Sequence, residues 1–508
     1  MIRKLTVLPL LLLAAGCASM GKKETPTDRD QWLARTRAHV FLVDEEGRYR
    51  DPAKMWNLLS SGEKPTPMRP QIEAISNSLT AFAATNNQPD RRVVVFVHGG
   101  MNPYSDGYER LKRLTTNMLG DNCYPIFIVW NSGLPSSYWE HLTLIRQGER
   151  RPYFGRITAP FMFVVDLTRG IARLPMILSG RIENDLRTGE FPDSKRTRRW
   201  ELFEAAIATN RSELVQPPAN EHHTRSWSER IRNSTLYTLT LPTKTAILPI
   251  LDGVGSEAWD LMLRRTKTMF EPPMNYELSH ANLDQLVYPT NNAVSNINRW
   301  LRHASNGRTN KGAMYIFSRL LTQWTTNQFK ELPFEFYGHS MGAIVLNELF
   351  RVNPRINTTN IVYLGAACSI REFEQSLFPY LRRRTNTHFY SLSLHRIRER
   401  NEVNLWDLPP RGSLLNWIDD IFAKPKTITD RTLGSWDNIL RALPDIPDEL
   451  QTRIHLRAIS IEPGFLSTTH ARRPQVHGDF DNFPFWRPAY YWREIGEPEP
   501  VRLKPSAK

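Results

Sequence analysis

The chain has 508 residues, of which 40% are hydrophobic and 10% aromatic, so it can bury a large core and is not globally disordered. Its net charge of +14 is spread along the sequence, and the short basic clusters at 195–199 and 382–384 belong to no nucleic-acid-binding motif. We therefore expect no nucleic-acid partner. The excess charge predicts a solvated basic surface or an attraction to anionic lipid headgroups.

The first segment has the pattern of an export signal. Arg3 and Lys4 precede an apolar run at 5–15, which is too short to span a bilayer and is typical of a signal peptide. The run ends in Ala14-Ala15-Gly16-Cys17, which resembles the lipobox of bacterial lipoproteins. The resemblance implies that residues 1–16 are cleaved and that Cys17 is lipidated, followed by a tether over 17–30. An uncleaved anchor helix is the alternative.

The other cysteines bear on the compartment. Ala18, not Asp, follows Cys17, and by analogy with such lipoproteins this implies the outer membrane, facing the periplasm. Cys123 and Cys368 remain in that oxidising compartment. Cys123 opens one predicted strand, whereas Cys368 follows another at the opposite end of the sheet. We therefore expect two buried thiols and no disulfide.

The segment at 31–139 predicts the first part of an α/β core. A hairpin is expected at 38–49 and a helix at 71–85. The continuous apolar run at 93–97 predicts a central parallel strand covered on both faces. A helix at 108–119 and a second buried strand at 125–130 continue the alternation, which favours a doubly wound, mostly parallel sheet.

The alternation stops over 140–290, where we expect a large, mainly helical insertion. Its apolar runs at 159–165 and 236–251 are interrupted by prolines, and Asp166, Arg169 and Arg173 argue against a membrane span. The insertion is expected to be a packed accessory subdomain or a mobile lid that opens at lipid.

The core resumes over 291–508. Helices are expected at 293–302 and 313–325, and strands at 333–337, 360–364, 388–394 and 453–461. Between the first of these strands and a helix over 343–350 stands Gly338-His339-Ser340-Met341-Gly342. A G-x-S-x-G sequence between strand and helix is typical of a nucleophile elbow, so Ser340 is the candidate nucleophile.

A serine hydroxyl needs an adjacent base that is itself oriented by a carboxylate. In such a fold the acid and then the histidine follow the serine in the chain, on loops after the last strands. His477 follows the final strand and is the candidate base, with His470 as the alternative. Glu402 is the preferred acid because Val403 beside it allows burial under the imidazole. The alternative acids are Glu399 and Asp407.

An oxyanion hole requires two backbone N–H groups that point at the developing charge. Met341, directly after the nucleophile, is expected to supply one. The turn after the 93–97 strand is expected to supply the other, from Gly100 or alternatively from Met101.

These motifs resemble the α/β-hydrolase superfamily, whose members include serine esterases and lipases. The resemblance covers 92–130 and 293–492, and it includes Phe96-Val97-His98-Gly99 and the neighbourhoods of Glu402 and His477. It implies an α/β-hydrolase fold and a serine hydrolase that acts on ester or lipid-like small molecules, with no metal or cofactor. An acyltransferase with the same triad and a catalytically silent envelope scaffold are the alternatives. Related bacterial hydrolases usually have Asp where Glu402 stands.

Overall fold

The computed structural model describes residues 37–52, 68–85, 90–99, 104–146, 149–188, 202–207, 209–218, 227–271, 312–403, 407–461, 472–492 and 503. Several predicted features lie outside these residues: the signal peptide, Cys17, the 17–30 tether, the helix at 293–302, Gly100, Met101 and His470.

Within the described residues, nine strands form one sheet in the order β2-β1-β4-β3-β8-β9-β10-β11-β7. Neighbouring strands run parallel, except that β2 is antiparallel to β1. The predicted α/β chain with a mostly parallel sheet is thus confirmed. The strands are β1 (Val40–Val43), β2 (Tyr49–Arg50), β3 (Arg92–Val97), β4 (Cys123–Trp130), β7 (Val215–Gln216), β8 (Phe334–His339), β9 (Asn360–Leu364), β10 (His388–Ser393) and β11 (Ile454–Ala458), while β5 (Ile145–Arg146) and β6 (Glu149–Arg150) form a separate ribbon.

Helices cover both faces of this sheet, and short 3₁₀ and π turns connect several of them. The 3₁₀ turn at His477–Asn482 bears on the site described below. The α-helices are α1 (Arg69–Ala84), α2 (Tyr104–Gly120), α3 (Leu134–Thr143), α4 (Pro152–Thr188), α5 (Trp227–Thr268), α6 (Ala313–Gln323), α7 (Gly342–Val352), α8 (Ile370–Arg383), α9 (Arg396–Arg400), α10 (Leu414–Trp417), α11 (Trp436–Ala442) and α12 (Pro488–Tyr491).

The strand sequences explain the two-sided core. Alternate side chains of a strand point to opposite faces, and a strand that is covered on both sides is therefore apolar at successive positions. Val93 and Val95 of β3 lie in one apolar cluster with α1, α6, α7 and α8. Val94 and Phe96 of the same strand lie in a second cluster with α2 and the aromatic side chains of the C-terminal segment.

The chain reverses its direction of travel through the sheet between β3 and β8. From β3 it proceeds to β4 on one side, whereas β8 lies on the other side of β3 and leads to β9, β10 and β11. The carboxyl ends of β3 and β8 therefore adjoin at a topological switch point. In open α/β sheets such a point forms a crevice in which ligands bind.

The described part of the segment 140–290 is mainly helical. Its two longest elements, α4 and α5, contain the apolar runs at 159–165 and 236–251. The sequence did not predict β7, which lies inside the insertion and pairs with β11 at the edge of the main sheet. A two-residue strand is too short to show an alternating pattern, so only its pairing reveals it.

The helices α4 and α5 pack as a hairpin at unusually short range. A Cβ atom on Gly170 would come within 2.0 Å of the Pro249 carbonyl oxygen, and one on Gly253 within 2.5 Å of the Asp166 carbonyl oxygen. Buried carboxylates add polar contacts, since Asp166 accepts a 3.0 Å hydrogen bond from Tyr138 Oη. Among the described residues, no helix is both long enough and apolar enough to cross a membrane.

The two cysteines in the described part of the chain are free and buried, as expected. Cys123 opens β4, and Cys368 lies beyond the end of β9. Burial raises the pKa of the Cys123 thiol to about 12, so this thiol is unreactive at neutral pH.

Candidate active site

Ser340 occupies a sharp turn between β8 and α7. Its φ of +53° lies in the left-handed region, which a non-glycine residue adopts at a cost of about 1–3 kcal/mol. Three backbone hydrogen bonds hold the turn: Ser340 N–H donates to Leu364 O at 2.9 Å, and Ser340 O accepts from Ala343 N–H at 3.1 Å and from Ala367 N–H at 3.0 Å. The strained turn thus presents the serine between two parallel strands and the start of a helix.

The glycine after Met341 is required by contacts that are remote in the sequence. A Cβ atom on Gly342 would lie 2.1 Å from the carbonyl oxygen of Val97, at the end of β3. The first turn of α7 therefore crosses the end of β3 with no space for a side chain. This close approach brings the segment after β3 to the nucleophile.

The predicted oxyanion turn begins at that segment. A Cβ atom on Gly99 would lie 3.0 Å from Cβ of Ser340, so the backbone directly after β3 adjoins the serine. Met341, whose N–H is one predicted donor, is completely buried beside it. Gly100, the other predicted donor, follows Gly99 but lies outside the described residues.

His477 begins the 3₁₀ turn His477–Asn482, and its ring lies against the end of β9. A Cβ atom on Gly365, which directly follows β9, would be 3.0 Å from the imidazole Cε1. Gly365 in turn follows Leu364, the residue that accepts the N–H of Ser340. The His477 ring therefore lies one residue beyond the strand end that binds the N–H of Ser340, although His477 follows Ser340 by 137 positions in the sequence.

The three candidate acids lie in different surroundings. Glu402 Oε2 accepts a 2.8 Å hydrogen bond from the backbone N–H of His477, so this carboxylate contacts the main chain of the candidate base. Asp407 is completely buried and pairs with Arg411 and Lys244 at 2.7 and 2.9 Å. Glu399 is buried near Asp437. Of the three, Glu402 has a hydrogen bond to His477.

Burial sets the protonation of the two groups. It lowers the pKa of His477 to about 3, with a further decrease from nearby His339, so the imidazole is neutral at pH 7 and able to accept a proton. Burial raises the pKa of Glu402 to about 7, against the opposing effect of the His477 N–H, and the charge of Asp479 raises it further. An ionised Glu402 beside His477 would stabilise the imidazolium form.

The sequence predicted no role for His339, but this residue also belongs to the site. Its Nε2 lies 3.0 Å from the carbonyl oxygen of His477, and the two rings are 5.4 Å apart. Asp481, in the same turn as His477, pairs with Arg113 of α2 at 3.7 Å and also with Arg110. Together these contacts hold the His477 turn against β8 and α2. The alternation along β8 could have shown that His339 points to the α2 face.

His98, at the end of β3, is a second histidine that supports the backbone. Its Nδ1 lies 2.7 Å from Gly99 O, and its Nε2 accepts the N–H of Trp130 at 3.3 Å. Burial lowers the pKa of His98 to about 3, so it stays neutral. It links the ends of β3 and β4 behind the candidate oxyanion turn.

Several polar atoms at the centre of the site lack a hydrogen-bond partner among the described residues. They are Ser340 Oγ, both ring nitrogens of His477 and Nδ1 of His339, and all of them are buried. Native proteins leave few buried polar atoms unpaired because each costs about 1–3 kcal/mol. A neutral imidazole and a hydroxyl on a strained turn, both without a hydrogen-bond partner among the described residues, can together bind a reacting group.

Within the described residues, no group of three or more His, Cys, Asp or Glu side chains is arranged to hold a metal ion. No protein-family model, no curated protein and no solved structure matches this chain.

Proposed function

We propose that this protein is a serine hydrolase of the α/β-hydrolase superfamily that cleaves carboxylic esters and is anchored by lipid at the bacterial envelope. The main support is the juxtaposition of Ser340 and His477. Ser340 stands on a turn at φ +53°, His477 lies against the adjoining strand end, and their reactive atoms are unpaired and buried. The strand order supports the fold, because Ser340 follows β8, whose carboxyl end adjoins that of β3 at the switch point of a parallel sheet.

In the proposed reaction His477 accepts the Ser340 proton while Oγ attacks the ester carbonyl. The tetrahedral oxyanion is held by the N–H groups of Met341 and Gly100. The protonated His477 then delivers its proton to the leaving alcohol, and an acyl-enzyme remains. Water, deprotonated by His477, releases the acid and restores Ser340. Whenever His477 is protonated in these steps, ionised Glu402 stabilises its positive charge.

The electrostatics are compatible with this sequence of steps. His477 is neutral before the reaction because burial disfavours its charged form. Ionised Glu402 raises the proton affinity of His477 at every step, whereas the negative charge on the substrate oxygen raises it only while the tetrahedral species exists. An interaction that strengthens in the transition state accelerates the chemical step, whereas uniform binding does not.

A fluorophosphonate probe tests the proposal, since it modifies an activated serine. The full-length protein is expected to be labelled, and Ser340→Ala to abolish the labelling. Ser391→Ala is the matched control: Ser391 is also buried with an unpaired Oγ, but it lies on β10. The Ser391→Ala variant should be labelled as strongly as the wild type. An inert wild type, both in buffer and in detergent, would contradict an enzymatic function and favour a scaffold.

Hydrolysis and acyl transfer can be separated by product analysis. With a labelled acyl ester as substrate, the hydrolase proposal predicts free acid as the main product, even when a primary alcohol or amine is added. Accumulation of the acylated acceptor instead would identify a transferase that uses the same Ser340 chemistry.

A further inference from the structure

The helix α4 presents an apolar outer face along most of its length. Ile157 is 80% exposed, Phe161 69%, Val164 58% and Ile171 56%. Together with Thr168 and Pro175 they recur at alternating intervals of four and three residues, which places them on one side of a helix. Tyr153, Phe154 and Met176, also exposed, extend the same region of the hairpin.

The orientation of this face is fixed by the opposite side of the helix. Gly170 and Asp166 contact the backbone of α5 at the close crossing of the hairpin. The hairpin is further attached to the segment after β10, because Lys244 pairs with Asp407 at 2.9 Å and Arg181 with Asp420 at 3.1 Å. The apolar side chains therefore contribute little to holding the hairpin in place.

The exposed charges of α4 around this face are basic. Asp166 is the single acidic residue between 151 and 181, and it is 1% exposed. Exposed basic side chains on the same stretch are Arg151, Arg156 and Arg169, of which Arg169 pairs with Glu257 of α5 at 3.0 Å. The neighbouring part of α5, residues 235–251, contains no acidic residue and exposes Leu239 and Leu241. An exposed apolar helix face flanked by basic side chains is typical of a helix that lies at an anionic lipid surface.

We propose that the outer face of α4 lies on an anionic lipid bilayer, with its apolar side chains among the acyl chains near the headgroups and its arginines at the phosphates. The contact is separate from the proposed lipid at Cys17, and it needs no catalysis by Ser340. An anchor through acyl chains alone leaves a protein free to rotate. A second contact would fix the orientation of the sheet relative to the membrane.

A depth measurement on the full-length protein tests the proposal. Ile157→Cys carries a polarity-sensitive fluorophore, and the protein is reconstituted in vesicles of phosphatidylethanolamine and phosphatidylglycerol that contain acyl-chain nitroxide lipids. The matched control is Glu331→Cys, because Glu331 is 86% exposed and precedes β8, at the amino end of the sheet. Cys123 and Cys368 are fully buried, and the wild-type chain gives the labelling background.

The label at position 157 is expected to be quenched at least about threefold more than the label at 331, with a blue-shifted emission that appears only with vesicles. Vesicles of phosphatidylcholine alone should give weaker quenching, since they lack the anionic charge. Equal quenching at both positions would overturn the proposal. A blue-shifted label in the absence of vesicles would also overturn it, because another part of the chain or a second copy would then cover the face. Fluorophosphonate labelling of the same samples reports separately on the proposed hydrolase.

Discussion

The sheet centre and the α4–α5 hairpin depart from ordinary burial in opposite ways. At the carboxyl ends of β8 and β9 the structure buries polar atoms of Ser340 and His477 that have no hydrogen-bond partner among the described residues. On the outer face of α4 it exposes apolar side chains, such as Ile157 at 80%. Each departure costs stability unless something outside the described chain satisfies it. A polar reacting group suits the first region and an apolar phase suits the second.

We therefore expect two different partners, one at the sheet centre and one on the outer face of α4. The groups that would react with an ester are positioned by a rigid parallel sheet, whose central strands are fully buried. The surface that would meet lipid belongs to a hairpin whose two helices meet at glycine contacts and which is attached through ion pairs to the segment after β10. The following variants separate the two regions.

The largest effect is expected from His477→Ala. It removes the proposed base, and ester hydrolysis should fall by about 10⁴-fold in kcat/KM. His388→Ala is the control, because His388 lies on β10, where it hydrogen-bonds His455. That variant should remain within about twofold of the wild type. Similar losses in both variants would show that histidine removal damages the fold rather than the chemistry, and would remove the proposed distinction between the two regions.

The next effect concerns stability and compares one glycine from each region. A Cβ atom on Gly342 would lie 2.1 Å from Val97 O, so Gly342→Ala should lower the free energy of unfolding by about 3 kcal/mol. Gly180 of α4 has no heavy atom within 4 Å of an added Cβ atom. Gly180→Ala should therefore raise the free energy of unfolding by up to about 1 kcal/mol, because alanine favours helix. Chemical denaturation measures both, and equal signs would contradict the packing difference.

The pH dependence of catalysis is expected to depend on Glu402. The pKa of its carboxyl is raised to about 7, so below that pH it is protonated and cannot stabilise a charged His477. The kcat/KM of the wild type should therefore rise as pH increases through 7. In Glu402→Gln this rise should disappear, with a loss of about tenfold at pH 8.5. Glu331→Gln, an exposed control, should keep the wild-type profile. If kcat/KM of Glu402→Gln still rises as pH increases through 7, Glu402 is not the source of that rise.

A smaller effect is expected from Glu399→Gln. Burial, with nearby Asp437 and Asp419, raises the pKa of Glu399 well above its ordinary value of 4.5. Between 4.5 and the raised value the unfolded chain releases a proton that the folded chain retains, so this group lowers stability as pH rises. The variant should gain about 1 kcal/mol of unfolding free energy at pH 8 and little at pH 4. An equal gain at both pH values would indicate a packing effect.

Local patterns were sufficient for most of the sheet. Continuous apolar runs predicted β3 and β4, and their predicted cores lie within the observed Arg92–Val97 and Cys123–Trp130. The strand, turn and helix around Ser340 were also predicted, because a strained turn between a strand and a helix leaves its glycines in the local sequence. A mainly helical insertion was expected where the alternation of strands and helices stops, at 140–290.

Contacts remote in the sequence could not be predicted in this way. No local pattern shows that His339 contacts the carbonyl of His477, that Glu402 binds its N–H, or that β7 joins the edge of the sheet. The apolar runs of the insertion predicted helices, yet they did not show which side of α4 would stay exposed.

The sequence by itself therefore determined which elements form and which serine stands at a strand end, since periodicity and turn chemistry depend on neighbouring residues. Only the tertiary structure decided which strand ends adjoin and which surfaces remain uncovered. The physical reason is visible at Gly342 of α7, where any side chain would collide with the carbonyl oxygen of Val97 on β3. Likewise, Asp166 and Gly170 become the inner side of α4 only because α5 crosses them.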